Sequence, residues 1–345
     1  MLTLTALLVF TLASTSTSCA DSSWLTRSHS CVGSPQVWEA RPSPGKGLGV
    51  YATRTIEPGD IILSEPPIIH FAPSEFRDGV AYPLNDITAT LQASFDALSP
   101  GEQAQVMSLH AYMTPAEKAG DQLMAIFRSN AYTTGDSLGL FPKGSRINHS
   151  CRPNTSQYWS ANLGRRIVYA NRHIEEGEEI YASYIPLLHP HEARQRRLDQ
   201  YGFKCTCSAC ALDQGARNAS DQRRQDLAKA FAAFESQLTL SVPGSVVGKR
   251  KARKNAEASI QLVEEIEKEG LADYYIKAYH IAAVMHARAE DWKPATLFAN
   301  KGYETSLLAD HNARSAGTKE LQALTNHLIN KWNDHLRDKA MEHGK

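Results

Sequence analysis

The spacing of hydrophobic and polar residues divides the chain into four stretches. Residues 37–71 alternate short β-rich runs with turn signals, and residues 128–186 return to the same pattern. Between them, residues 86–127 carry apolar side chains at helical spacing. From about Asp221 onward the spacing is helical throughout. The pattern predicts an α+β fold in which a C-terminal all-α helical region follows the strands.

The C-terminal stretch shows apolar helix faces and one end signal. Leu262, Val263 and Ile266 share one face, and Gly270 is placed to end that helix. Two further apolar stripes begin near residues 276 and 292. The sequence therefore predicts three helices that could stack as hairpins.

The charge balance excludes some classes of partner. The 345 residues carry 37 basic and 37 acidic side chains, so no global charge favours nucleic acid or acidic lipid. Residues 249–254 are a local exception, with five bases in six positions. Such a run is typical of a nuclear-localisation or nucleic-acid patch, or of a solvated linker before a helix. We favour the linker.

The N-terminus bears on the compartment. An apolar run at residues 2–12 precedes small residues and the tripeptide Ser18-Cys19-Ala20, as in a secretory signal peptide ending near residue 20, although a basic start is missing. A disordered leader or a wrongly assigned start are the alternatives. The run is too short to span a bilayer, and no other segment is long and apolar enough, so we predict no transmembrane segment.

Three of the six cysteines stand close together in a C-x-C-x-x-C cluster, Cys205, Cys207 and Cys210. Sulfurs spaced that closely are poor disulfide partners for one another and good ligands for one metal ion. Three thiolates make an incomplete tetrahedral zinc site, and Cys151 would complete it. The alternative is a set of buried free thiols.

Other blocks accompany the cysteines. Gly45, Gly47 and Gly49 permit positive φ and close approach of backbone to a ligand, although alone they would indicate a plain turn. Asn148 offers an amide donor and acceptor that could read an amine or a purine edge. A third block ends at Tyr184, which alone would be interpreted as a core aromatic residue.

Together, in this order, the blocks resemble the SET-domain family, above all its SMYD-like branch and the fungal relatives of that branch. The resemblance covers about residues 36–212. The matching segments are Gly45–Gly49, Asn148–Asn154, Gly177–Tyr184 and Phe203–Cys210.

The resemblance implies a domain organisation. The expected parts are a β-rich SET domain at residues 36–186, with small curved sheets and knot-like C-terminal threading, and a helical insert at about 73–127. A zinc-bound post-SET segment at 187–212 and a C-terminal helical domain at 213–345 would follow. SMYD proteins carry zinc-finger cysteines inside the SET domain, whereas residues 72–127 have none, so the partner-binding role of that finger is not carried over.

The resemblance also implies a reaction, the transfer of a methyl group from S-adenosyl-L-methionine to a protein lysine amine, with Zn²⁺ as a second cofactor. Tyr184 would be catalytic and face the methyl group. Asn148 and His149 would hold the methionine and adenine parts, and Phe203 would pack on the adenine. The implied cofactor-binding residues are Lys46, Gly47, Leu48, Asn130, Asn148, His149, Tyr184 and Phe203. The implied zinc ligands are Cys151, Cys205, Cys207 and Cys210.

Partners and compartment follow from the same resemblance. The substrate would be a lysine-containing protein, a histone being one candidate, with no direct requirement for nucleic acid. Family and thiolate chemistry favour the nucleus or cytoplasm, whereas the signal-like start favours secretory entry. The oligomeric state, the substrate and the degree of methylation stay open.

Two alternatives compete with a methyltransferase. One is a catalytically inactive SET-like zinc-binding module that recognises a partner, and the other is a secreted zinc-stabilised protein without cofactor. Within the enzyme hypothesis, Tyr181 competes with Tyr184 for the catalytic role. Strand alternation predicts that these two side chains lie on opposite faces.

Overall fold

The computed structural model describes most of the chain after residue 35. The described ranges are 36–73, 84–114, 117 and 122–343. The predicted signal peptide at residues 1–20 lies outside them, as do Cys19 and Cys31. In these ranges, no helix combines the length and the apolar composition that crossing a membrane requires.

Ten short strands run through the described residues. They are β1 (Trp38–Ser43), β2 (Gly47–Ala52), β3 (Ile61–Glu65), β4 (Ile69–Phe71), β5 (Ala131–Thr134), β6 (Ser137–Leu140), β7 (Asn148–His149), β8 (Thr155–Ser160), β9 (Arg165–Ala170) and β10 (Glu179–Ala182). Alternation explains how β10 sits: Ile180 and Ala182 are buried, while Glu179 and Tyr181 stay partly exposed. The polar face of β10 is thus available for a site.

The strands form three small sheets. Their orders are β1-β2-β10-β7, β3-β9-β8 and β4-β6-β5. In the first sheet β10 lies between two strands that precede it in sequence. It pairs antiparallel with β2, Ile180 opposite Val50, and parallel with β7, Tyr181 opposite Asn148. This insertion brings the turn at Gly45–Gly49, the pair Asn148–His149 and the strand that begins at Glu179 into one sheet.

Three helices lie in the described residues between β4 and β5, where the spacing predicts helix. They are α1 (Leu84–Asp96), α2 (Pro100–Met107) and α3 (Gln122–Asn130). Leu91 and Phe127 are buried in a core that these helices share with β4 and β6. At the start of α2, the Ser99 side chain accepts the backbone N–H of Glu102, and the Glu102 carboxylate accepts the backbone N–H of Ser99. The described helices of the insert therefore share a core with β4 and β6.

Six helices follow the last strand in the described residues. They are α4 (His191–Leu198), α5 (Gln214–Glu235), α6 (Val246–Glu269), α7 (Tyr275–Arg288), α8 (Trp292–Ala309) and α9 (Ala316–His343). Three of them, α6 to α8, carry the predicted stripes, and Gly270 ends α6 with φ 67° as expected. Helix α5 starts at Gln214, earlier than the predicted Asp221, because Asp213 caps it.

The basic run at residues 249–254 lies inside α6, so the linker interpretation is wrong. The Ser245 side chain accepts the backbone N–H of Gly248 at 3.1 Å and starts the helix before the run. Ala252 and Ala256 are buried on the inner face, while the five bases are exposed. The small alanines anchor the helix and leave its charged face in solvent.

The C-terminal helices share a hydrophobic core with the cysteine segment. Cys151 and Cys210 are buried in the same cluster as Leu227 of α5, Ile266 of α6 and Ile281 of α7. The helices therefore support both segments that carry the sulfurs, the one at Cys151 and the one at Cys205–Cys210.

A buried carboxylate reinforces this junction. Glu269, the last residue of α6, is fully buried and accepts hydrogen bonds from Ser220 Oγ at 2.7 Å and Arg224 Nε at 3.1 Å. It also pairs with Arg223 Nη2 at 2.7 Å. Arg152, beside Cys151 in sequence, donates from Nη2 to the Glu269 carboxylate at 3.3 Å and from Nε to the Glu269 backbone carbonyl at 3.1 Å. One carboxylate thus joins α5, α6 and the segment after β7.

Replacing Glu269 with alanine is expected to destabilise the fold by about 3–5 kcal/mol, because it leaves the fully buried Arg224 guanidinium without its carboxylate. Urea unfolding at pH 7 measures the loss. The control is Glu264→Ala, on the exposed side of the same helix, which should change stability by no more than about 0.5 kcal/mol. Equal losses in the two variants would contradict this role of Glu269.

The same carboxylate predicts acid sensitivity. Burial raises the pKa of Glu269, but the Ser220 hydrogen bond and the charge of Arg224 outweigh burial and hold the pKa below its ordinary 4.5. A pKa depressed by folding stabilises the protein above pH 4.5, and this stabilisation is lost as the pH falls through the folded-state value. The stability gap between wild type and Glu269→Ala should therefore narrow in acid.

Candidate active site

The turn between β1 and β2 is built by glycines. Gly45 and Gly47 have φ of +73° and +76°, the left-handed region in which a Cβ is strained, and Lys46 stands between them. Gly49 is needed for a different reason, since a Cβ there would lie 2.5 Å from Glu179 Oε1. The predicted positive φ holds at Gly45 and Gly47, and the predicted close approach holds at Gly49.

The Glu179 carboxylate is the centre of a polar network at this turn. Its Oε2 accepts from Ser43 Oγ at 3.0 Å and from Lys46 Nζ at 3.2 Å. Its Oε1 accepts from Asn148 Nδ2 at 2.8 Å, and the Tyr181 hydroxyl donates to Oε2. Burial raises its pKa, but these bonds, led by that from Tyr181, outweigh burial and lower it. Glu179 is therefore ionised at neutral pH.

Asn148 uses its amide donor within the protein. Nδ2 donates to the Leu48 carbonyl at 3.1 Å and to Glu179. The expectation that this amide could read a ligand through both donor and acceptor is therefore corrected. Its carbonyl oxygen is the group left to bind a ligand, and its NH₂ group fastens the turn of β2 to β10.

The His149 ring is engaged at both nitrogens. Nδ1 accepts the backbone N–H of Tyr184 at 3.1 Å, which places the ring proton on Nε2, 3.3 Å from Cys151 Sγ. Burial, helped by the positive charge of Arg194, lowers the pKa of His149 to about 4, so the ring is neutral at pH 7. These bonds leave the main chain and ring face of His149 for a ligand, and its contact with a cofactor stays a prediction.

Tyr184 lies two residues beyond β10, which ends at Ala182. Its hydroxyl donates to the Ile147 carbonyl at 2.7 Å. Burial above all, then the neighbouring phenols of Tyr132 and Tyr201, raises its pKa far above the ordinary value. The phenol is therefore neutral. Its proton is donated to the Ile147 carbonyl, and the lone pairs of its oxygen can accept a hydrogen bond.

An aromatic group surrounds Tyr184. Its ring centroid lies 5.3 Å from that of His149, 5.1 Å from that of Tyr201 and 6.4 Å from that of Phe203. Gly202, at φ +75°, turns the chain between Tyr201 and Phe203 so that both rings join the group. The rings of His149, Tyr201 and Phe203 form an aromatic wall around the neutral phenol of Tyr184.

Tyr181 lies in different surroundings. Its hydroxyl accepts from Lys46 Nζ at 2.6 Å and donates to Glu179. The alternation argument that separated Tyr181 from Tyr184 assumed a strand reaching Tyr184, and β10 stops short of it. The two phenols differ because one joins the charged network and the other the aromatic wall.

The four predicted metal ligands come together. The sulfurs of Cys151, Cys205, Cys207 and Cys210 all lie within 4.8 Å of one another. Cys151 Sγ and Cys210 Sγ are 3.7 Å apart, close to the edge of about 3.8 Å that a tetrahedron with Zn–S bonds of 2.3 Å requires. The Cys151 N–H donates to Cys207 Sγ at 3.3 Å. The donor set fits a closed Zn²⁺ site.

Two buried arginines supply charge to this cluster. Arg194 is 1% exposed, and its Nε and Nη2 make no hydrogen bond. Burial alone would lower its pKa, but the negative charges of Cys151 and Cys210 outweigh burial and raise it. Arg224 Nη2 donates to the Cys151 carbonyl at 3.1 Å. Zn²⁺ with four thiolates carries a net charge of −2, which these cations would balance.

Comparisons with known proteins agree with this architecture. A profile of the SET domain matches residues 47–185. The histone-lysine N-methyltransferase Set5 of Schizosaccharomyces pombe is 29% identical over 272 residues, 77% of each chain. The N-lysine methyltransferase SMYD2 of Homo sapiens is 27% identical over 221 residues, 58% of this chain and 50% of that protein. The chain contains a SET domain and is similar to SET-domain protein lysine methyltransferases.

This SET-domain protein matches shorter parts of other relatives. SMYD2 of Gallus gallus is 36% identical over 124 residues, 32% of this chain and 28% of that protein. The chain therefore spans half or less of the SMYD2 sequences named here. A solved structure of a Plasmodium falciparum putative histone methyltransferase matches 44% of this chain and 95% of its own at 18% identity, with a TM-score of 0.25.

In this SET-domain protein, Asn130 stands apart from the other predicted cofactor residues. It ends α3, and its Nδ2 donates to the His110 and Ile126 carbonyls, both at 2.8 Å. Its own carbonyl accepts from Ser145 Oγ at 3.4 Å. Its side-chain donors therefore bond within the helical insert, and its backbone carbonyl joins the insert to the segment after β6. A cofactor role for Asn130 stays a prediction.

Sequence reasoning gave no role to several residues of the site. They are Ser43, Glu179, Arg194, Tyr201 and Arg224. Tyr201 had a signal, since it opens the aromatic and cysteine block that ends at Cys210. The two arginines had none, because their burial depends on how α4 and α5 pack against the cysteine segment.

Proposed function

We propose that this protein transfers a methyl group from S-adenosyl-L-methionine to a lysine side chain of a protein substrate, and that its four cysteines bind one Zn²⁺ ion. The observation that carries the proposal is the position of Tyr184. It is a neutral, partly buried phenol among aromatic rings, with Asn148 and the charged Glu179–Lys46 pair in the neighbouring sheet.

The residues of the site suit the cofactor. Lys46 and Glu179 offer opposite charges for the carboxylate and amino groups of its methionine part. Leu48, which is 43% exposed, gives apolar surface on the same turn. Phe203 and Tyr201 offer ring faces for a purine, since stacking on aromatic side chains is tolerant of geometry. When bound, the cofactor supplies the methyl group on a sulfonium.

Tyr184 and the aromatic wall would position and desolvate the amine. The nucleophile must be a neutral amine, and an apolar surrounding lowers the pKa of a lysine ammonium. Tyr184 is a poor base because burial raises its pKa, and His149 is a poor base because both of its ring nitrogens are engaged. We therefore assign proton removal to solvent and alignment of the amine to the Tyr184 oxygen.

The zinc site would act structurally. Four protein sulfurs close the coordination sphere, which leaves no position for a reacting ligand. Gln195 links the cluster to the wall, since its Nε2 donates to the Phe203 carbonyl at 2.8 Å and its Oε1 accepts the Cys205 N–H at 3.0 Å. Metal binding would thereby fix Phe203 beside Tyr184.

The named relatives support a protein substrate. Set5 is named as a histone-lysine methyltransferase, so a histone is one candidate substrate here. Four thiols that must remain reduced favour the nucleus or cytoplasm over a secretory compartment. A catalytically inactive binding module is the alternative function, and turnover separates the two.

Methyl transfer and cofactor binding test the proposal directly. We expect the purified protein to transfer labelled methyl groups from S-adenosyl-L-methionine to lysines in a proteome extract, as identified by mass spectrometry. Calorimetry should show that Phe203→Ala weakens cofactor binding by about 1–3 kcal/mol, while the neighbouring exposed Lys204→Ala does not. Binding without transfer would favour the inactive module, and no binding would refute both the cofactor and the reaction.

A further inference from the structure

A cavity of about 200 Å³ opens between two of the sheets. Tyr132 of β5, Gln157 and Trp159 of β8, and Arg166 of β9 form its walls, together with Phe141. Arg166 is the one charged side chain among the residues that line it.

The cavity lies close to Tyr184. Phe141 packs against Tyr132, with ring centroids 6.1 Å apart. The chain runs from Phe141 through one short turn to Ile147, whose carbonyl accepts the Tyr184 hydroxyl. After burial, Tyr132 raises the pKa of Tyr184 and Arg166 lowers it, so both side chains are within electrostatic reach of the phenol.

Arg166 is buried without a hydrogen-bond partner for its terminal nitrogens. It is 3% exposed, Nη1 and Nη2 have no partner, and Cζ lies 3.2 Å from the Tyr132 ring centroid. Burying a charge without its hydrogen bonds is costly unless a ligand supplies them.

Neighbouring groups do not satisfy these nitrogens. Glu65 lends a nearby negative charge, but its two oxygens accept the backbone N–H groups of Lys143 and Gly144. On β8, the strand paired with that of Arg166, the buried Oε1 of Gln157 also has no hydrogen-bond partner. The cavity therefore presents unused donors and an unused acceptor on neighbouring strands of one sheet.

We propose that this cavity binds an aspartate or glutamate side chain of the protein substrate, close in sequence to the methylated lysine, with Arg166 as the partner of the carboxylate. The inference rests on the proposed function. A guanidinium pairs with a carboxylate through two parallel bonds, and one cation matches one negative charge rather than a phosphate dianion. A peptide also offers a backbone N–H to Gln157, which a free anion does not.

Tyr132 is the wall that must move for the carboxylate to reach Arg166. It stacks on the guanidinium, is only half-buried and lies on β5, the edge strand of its sheet. The neighbouring strand restrains such a residue on one side only.

Lysine-centred peptide libraries with one flanking position fixed at a time test the proposal. With labelled S-adenosyl-L-methionine, the wild type should methylate peptides with Asp or Glu at one flanking position about 10-fold or more faster than the Asn or Gln counterparts. Arg166→Met should bring this ratio close to one. The neighbouring Arg165→Met, whose guanidinium instead donates to the Ser64 carbonyl at 2.9 Å, should leave the ratio unchanged.

A second measurement guards against misfolding. Because Nη1 and Nη2 of Arg166 make no hydrogen bond, its replacement by methionine removes only the stacking on Tyr132 and the charge near Glu65, and the variant should still unfold cooperatively. If that variant fails to fold, Arg166→Lys keeps the charge but lacks the two parallel N–H donors of the guanidinium. It should still reduce the ratio of the rates on acidic and neutral peptides.

Three results would overturn the proposal. They are equal rates on acidic and neutral peptides in wild type, an acidic preference that survives in folded Arg166→Met or Arg166→Lys, or weaker S-adenosyl-L-methionine binding by Arg166→Met. The last would assign the guanidinium to the cofactor. If the wild type methylates no peptide or protein, the proposed function fails and this inference fails with it.

Discussion

Tyr184→Phe is expected to slow methyl transfer by about 10²-fold or more while cofactor binding stays near normal. The substitution keeps the ring that packs against His149, Tyr201 and Phe203, so the wall retains its shape. It removes the oxygen whose proton is committed to the Ile147 carbonyl and whose lone pairs would orient the amine. The loss should therefore appear in kcat, under saturating cofactor and protein substrate.

Tyr181→Phe is the matched control, because the same atom is removed from a neighbouring phenol. The Tyr181 hydroxyl bonds to Lys46 and Glu179, so its loss should disturb the charged network and weaken cofactor binding more than it slows turnover. A fully active Tyr184→Phe enzyme beside an inactive Tyr181→Phe enzyme would reverse the assignment of the catalytic phenol.

Loss of one zinc ligand should have the largest effect on stability. Elemental analysis of wild type should give close to one zinc per chain, and Cys207→Ser should reduce it sharply. Structural zinc sites in small peptides bind with apparent free energies of about 10–16 kcal/mol, so a loss of several kcal/mol in unfolding free energy is expected. Cofactor affinity should fall with it, because Phe203 lies two residues before Cys205.

Thr206→Ala is the control for this substitution. Thr206 is exposed between two predicted ligands and should leave zinc content and stability unchanged. Zinc affinity should also decrease with falling pH, because the ligands are thiolates that protons compete for. A folded, active wild type that contains no metal would refute the zinc site.

Local sequence predicted the parts of the site whose chemistry is narrow. Three cysteines within six residues have few uses other than a metal, and Gly45 and Gly47 mark a turn that needs positive φ. Such signals depend on neighbouring residues, so they can be read without knowing the fold. The fourth sulfur, Cys151, was identifiable as the residue that could complete the set.

Pairings between distant segments could not be predicted from local sequence. Asn148 binds Leu48 and Glu179, 100 and 31 positions away, because β10 inserts between β2 and β7. The sequence predicted Asn148 as a binding residue and missed that its donor is used internally. The buried Arg166 and Arg194 look like surface arginines in the sequence, since only packing determines that they are enclosed.

The junction at Glu269 has a consequence for how this protein can vary. Arg224 reaches from α5 to the Cys151 carbonyl, and Glu269 holds the Arg224 side chain in place. The position of Cys151 therefore depends on residues more than 70 positions downstream of it. The C-terminal helices therefore cannot be replaced at residue 213 by those of a relative as an independent module. Chimaeras that fold should take Arg152, Arg224 and Glu269 from the same parent protein.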